Sequence, residues 1–185
     1  MGFLSKILGK DYESEKIAAF AEIGRQFVEA EKINQAKAGW LTMRGNNHSM
    51  RRRFDLAIAD FTEALKFEPN RPFTLISLGG AYAHTGNYKE AITILESAKK
   101  YLEAVDATLR NISEHNLYSE LGSAYFFADK KQEAVVCLTK SLEAVEKQRA
   151  LKNTGAVSEE EWEAQQKMIA PMIKNAEWLL ARIKL

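Results

Sequence analysis

One cysteine, three prolines and ten glycines in 185 residues leave little material for a disulfide framework or for turn-rich β architecture. Cys137 has no partner for an internal bridge, which suits a reducing compartment. Excess charge of one sign is missing too. With 26 Lys and Arg against 25 Asp and Glu, the formal charge is +1, so no global field points to nucleic acid or anionic lipid, and no nucleic-acid partner is expected. No apolar run reaches the ~20 residues of a membrane span. The opening MGFLSKILGK interrupts its apolar stretch with Lys6 and offers no small-residue cleavage site, so it does not read as a secretory signal. Position 6 also lacks the Ser or Thr that myristoylation of Gly2 requires. The expected location is cytoplasmic. Phe3, Leu4, Ile7 and Leu8 would share one helical face, enough for a weak membrane contact at most.

Catalytic constellations are equally scarce. His48, His84 and His115 have no i, i+4 pairing and no cysteine or carboxylate at metal-site spacing, so no metal and no cofactor are expected. They read as surface or groove histidines, with His84 and His115 able to approach each other across a groove. Cys137, beside Val135, Val136 and Leu138, reads as a small core residue rather than a nucleophile. Arg51, Arg52 and Arg53 form one basic cluster without interleaved aromatics, the pattern of a solvated turn. The chain is not expected to be an enzyme.

What the sequence does have is internal repetition. Gly45, Gly79 and Gly122 lie 34 and 43 residues apart, and Ala57, Ala91 and Ala134 repeat both spacings. A large apolar residue follows each alanine by four positions (Phe61, Leu95, Leu138) and a small one by seven (Ala64, Ala98, Ser141). Small residues at these points let two helices approach closely, and a unit of this kind buries its apolar face only by stacking on a neighbour.

These residues resemble the tetratricopeptide repeat, a helix–turn–helix unit of 34 residues. The second copy matches best, through Leu78-Gly79, Tyr82, Gly86, Tyr88, Ala91, Leu95 and Ala98. The third keeps Leu121-Gly122, Tyr125, Ala134 and Leu138 but has Asp129 at the turn glycine. The first keeps Gly45, Phe54, Ala57, Phe61, Ala64 and Pro69, with Arg44 and His48 where Leu and Tyr belong. The resemblance implies an all-α, right-handed helical-repeat superhelix. Three repeats, at about 38–71, 72–112 and 113–155, make up a 37–155 domain. A flexible or amphipathic segment 1–11 and a flanking helix 12–36 precede it, and a capping helix 158–185 follows. The nine residues by which the second spacing exceeds 34 are expected to lengthen one helix over 88–110. Asn111 and Glu114 would cap the next, and Ser158 and Glu161 the last.

By the same resemblance, the concave surface is lined by Gly39, Thr42, Asn46, Ser49 and Met50, then Phe73, Ile76, Gly80, Ala83 and His84, then Asn116, Ser119, Ser123, Phe126 and Phe127. Phe73, Ile76, Phe126 and Phe127 would anchor a partner, with Asn46, His84 and Asn116 orienting it. Gly80 and Ala83 would leave floor space for it. Family members that clamp acidic chaperone tails carry Lys, Asn and Arg where this chain has Thr42, Asn46, Ser77, Asn116 and Glu120, so a carboxylate clamp is not expected. The implied function is a non-catalytic scaffold binding a peptide or amphipathic helix in the groove. Alternatives are a small secretion-type chaperone, homo-oligomeric through its N-terminal extension, and a membrane-associated assembly scaffold nucleated by the first ten residues.

Overall fold

The computed structural model describes residues 9–102, 107–153 and 158–183, and among these every regular element is a helix. Seven helices follow in order: α1 Gly9–Met50, α2 Phe54–Phe67, α3 Pro72–His84, α4 Tyr88–Leu102, α5 Ala107–Phe127, α6 Lys131–Asn153 and α7 Glu159–Ile183. The last turns of α1 pair antiparallel with α2, α3 with α4 and α5 with α6, giving three stacked hairpins and a C-terminal helix.

The periodic small residues are the contacts of this stack. Ala57, Ala91 and Ala134 are fully buried, as are Ala64, Ala98 and Ser141. A Cβ built on Gly45 would lie 2.6 Å from the Phe61 ring, on Gly79 2.5 Å from Leu95 Cγ, and on Gly122 2.6 Å from Leu138 Cγ. In each hairpin the first helix thus gives up its side chain so that the second can press a large one onto its backbone. Burying each of those large side chains contributes about 1.5–3 kcal/mol. The three interhelical turns are also equivalent, each with one left-handed residue: Arg52 (φ 58°), Gly86 (φ 84°) and Asp129 (φ 59°). Only the second copy spends a glycine where L-residues are strained. Pro72 opens α3 at a position where its missing N–H costs nothing.

The first repeat's departures are coordinated. Where the second repeat packs Leu78, Tyr82 and Ile94, and the third Leu121, Tyr125 and Cys137, the first places Arg44, His48 and Asp60. The Arg44 guanidinium grips Asp60 through both carboxylate oxygens, Nε donating at 2.8 Å. Those hydrogen bonds hold the Asp60 carboxyl below the ordinary carboxylate range. His48 Nε2 lies 3.8 Å from the same carboxylate. A polar trio has replaced an apolar one, all three members together.

Three sequence expectations change. The flanking helix 12–36 is no separate cap: the chain is helical without interruption from Gly9 to Met50, and Phe20, Ile23, Phe27 and Val28 stand exposed rather than folded over the stack. No Pro interrupts this stretch, and glycine at 39 is tolerated inside a helix. The extra residues between the second and third repeats lengthen α5 rather than α4, which ends at Leu102. Asn111 lies inside α5 and so caps nothing there, and α5 runs across the expected 112/113 repeat boundary. At the other end α7 starts directly after Ser158, whose carbonyl accepts from Trp162 N–H at 3.0 Å, and it runs through Pro171. Its Ala176 and Leu179 are fully buried against Leu138, with Phe126 and Leu142 beside them. Residues 1–8, on which the membrane contact rests, lie outside the described residues.

Candidate peptide-binding groove

The first helices of the three hairpins, α1, α3 and α5, line the inner layer, and α7 returns across its C-terminal end. Between them lies a cavity of about 560 Å³. α1 contributes Asn46, Ser49 and Met50; α3 contributes Ile76, Ser77, Gly80 and His84; α5 contributes Asn116 and Glu120. Arg52 and Phe54 come from the first turn and α2, Gln148 from α6, and Ile169 and Met172 from α7. An adjoining cavity of about 400 Å³ is lined by Ala83, His84, Ser119, Glu120, Ser123, Phe127, Pro171, Met172 and Asn175.

Of the expected groove residues, Asn46, Met50, Ile76, Gly80, His84 and Asn116 share the larger cavity, and Ser119, Ser123 and Phe127 the smaller. Two anchors fall elsewhere. Phe73 lies two helical turns before Gly80, beyond the end of the cavity, and lines neither. Phe126 turns into the cluster made by Leu138, Ala176 and Leu179, because α7 packs over it. Phe127 remains half exposed, stacked on Tyr88 with ring centroids 5.6 Å apart and edge-on to Phe126. The α7 helix thus fills the far end of the groove, where Asn175 Nδ2 donates to Ser123 Oγ at 3.1 Å.

The histidines do not approach each other. His84 stacks on Phe54 at 4.8 Å, and burial, aided by the charge of Arg52, holds its pKa below the ordinary value. His115, expected at the surface or in the groove, is fully buried on the opposite side of α5. There its Nδ1 lies 2.9 Å from Ser141 Oγ and 3.0 Å from the Ser141 carbonyl oxygen. The spacing explains why. His115 lies seven residues, two turns, before Gly122 and shares its α6-facing side, whereas Asn116 and Glu120, four apart, face the groove. Burial also pushes the Cys137 thiol up to about 11, far from a reactive thiolate.

Gly80 does not leave vacant floor. A Cβ there would lie 3.1 Å from the Glu120 carboxyl carbon, so the space it opens holds that carboxylate. Burial pushes the Glu120 carboxyl up to about 7, and neither an ion pair nor a hydrogen bond reaches it among the described residues. Gln148 is 4% exposed, and both of its amide atoms are buried without a hydrogen-bond partner. A buried polar group left unmade costs about 1–3 kcal/mol, so Gln148 is an unusual occupant of a slot walled by Ile76, Met50, Ile169 and Met172, which it shares with the partly buried Glu120. Gln148, Ile169 and Met172 were not readable as groove residues. They arrive through the long α6 and the return of α7, which the repeat spacing does not encode. Chemically the slot offers apolar walls and one desolvated acid, with no activated nucleophile.

The sequence model of the tetratricopeptide repeat matches residues 74–105. Over 126 residues the chain is 29% identical to the small glutamine-rich tetratricopeptide repeat-containing protein 2 of Mycosarcoma maydis, covering 68% of this chain and 33% of that protein. It therefore spans about a third of that relative's length. Among solved structures, the Sgt2 tetratricopeptide-repeat domain from Aspergillus fumigatus superposes with a TM-score of 0.54 at 22% identity, covering 80% of each chain. The first such domain of human RPAP3 superposes with 0.51 at 20% identity, covering 76% of this chain and 95% of that one. Both likenesses concern the fold.

Proposed function

The chain is a tetratricopeptide-repeat protein, and we propose that it works as a non-catalytic interaction module, holding a peptide or amphipathic helix of a partner in its concave groove. One observation carries this reading: the 560 Å³ cavity is open and mostly apolar-walled, and it draws side chains from six helices that the fold brings together. The acid at its base opposes a carboxylate clamp, because Glu120 would repel a terminal carboxylate. A photo-crosslinking residue at Met50, which is largely exposed at the cavity's edge, should capture a partner from native lysate. The same residue at the exposed Val136 should not. Equal yields at both positions would sink the groove as the binding surface.

The projecting part of α1 favours a second reading, a small chaperone that self-associates or shields a subunit. Phe20, Ile23 and Phe27 share one helical face, and Phe20 and Phe27 are each 72% exposed. Light scattering should find the mass of two chains in the parent and of one in the Phe20→Glu/Phe27→Glu variant. A single-chain parent removes self-association.

A further inference from the structure

We propose that the larger cavity takes a lysine or arginine side chain of the bound peptide, its stem between Ile76 and Met172 and its charge on the Glu120 carboxylate. This deepens the interaction-module reading and rests on it.

The geometry supplies each part. Gly80 clears the space in which the Glu120 carboxyl sits, 3.1 Å from where a Cβ would be. Gln148, 4% exposed and lining the same cavity, presents a carbonyl oxygen and an amide that nothing in the fold engages. The described residues therefore leave a carboxylate and an amide oxygen free in an apolar slot, an acceptor set matched to a cation with an aliphatic stem. Arg52, the cavity's own cation, stands beside His84 and forms no ion pair with Glu120 among the described residues. An acid raised by burial, to about 7, stands to gain most from an incoming positive charge.

The test is selection of a phage-displayed random peptide library on the full chain, followed by calorimetry on an enriched peptide. Enriched sequences should carry a lysine or arginine flanked by apolar residues. Replacing that residue with norleucine, which keeps the stem and removes the charge, should weaken binding about thirtyfold or more. Glu120→Gln should weaken the parent peptide equally, and on that variant the norleucine peptide should lose less than about threefold further. The substitution is isosteric and removes a desolvated charge, so loss of the fold is not a competing outcome. Enrichment of acidic or uncharged peptides, or equal norleucine losses on both chains, overturns the cationic assignment and leaves the groove reading standing. Failure to enrich any peptide overturns both.

Discussion

Gly79→Ala should leave the protein less stable than Gly80→Ala by about 2–3 kcal/mol, measured by denaturant unfolding. Alanine improves helix propensity equally at both sites, so that gain cancels in the difference. What remains is the space each methyl meets. On Gly79 it would lie 2.5 Å from Leu95 Cγ and 2.7 Å from Cδ2, the branch point of a fully buried side chain that cannot swing away. Overpacking of this kind costs about 1–3 kcal/mol. On Gly80 the neighbour is the Glu120 carboxyl, the end of a flexible side chain beside open space. Leu95→Ala alone should cost about 2–5 kcal/mol through the cavity it leaves. Combined with Gly79→Ala it should cost less than the two separately, because the new methyl enters the vacated volume. Strict additivity would show that the two residues do not oppose each other as described.

Glu120→Gln should raise stability by roughly 1–3 kcal/mol at pH 8 while weakening peptide binding. The carboxyl titrates near 4.5 when unfolded and at about 7 when folded, and each factor of ten in proton affinity is worth about 1.4 kcal/mol. Between those values the folded chain binds the extra proton, so stability falls as pH rises through that window. Below about 4.5 both states are protonated and the penalty is gone. Above about 7.5 the folded protein carries the full cost of a charge removed from water. The gain from Glu120→Gln should therefore be greatest at pH 8 and vanish near pH 4.5. His84 and His115, both held below their ordinary values by burial, push the other way: stability is lost as pH falls below about 6.5, where the unfolded histidines charge. Their contributions cancel when variant and parent are compared at each pH. A difference that is flat with pH would show that Glu120 is solvated like any surface acid.

Much of the fold was legible because one contact recurs. A glycine facing a large residue sixteen positions on, with small residues (alanine, or serine at 141) flanking that residue, appears three times, and stacking demands that pattern in sequence as well as in space. Helix boundaries were less legible. Apolar rhythm runs through 88–110 without a breaker, yet α5 begins at Ala107. On α1 and α3 the repeat pattern pointed to Asn46, Met50, Ile76, Gly80 and His84, which line the cavity because each hairpin presents its first helix inward, and to Phe73, which does not. Phe126 does not either, because its burial depends on where α7 returns, and nothing local to Phe126 encodes that. The same holds for Gln148, which reaches the cavity only because α6 is long.

The uninterrupted α1 also sets a distance and an angle. Its first stretch, Gly9 to Gln26, spans about 27 Å at 1.5 Å per residue, and the helix then runs without a joint into the wall that carries Asn46 and Met50. Whatever rests on Phe20 and Phe27 is therefore held at a set azimuth to whatever sits in the groove. One residue inserted near position 30 would swing the outer face by about 100°, while seven would return it almost to register one pitch-pair further out. Two bodies bound in the groove and on the outer face would meet the chain in a phase dictated by helical count.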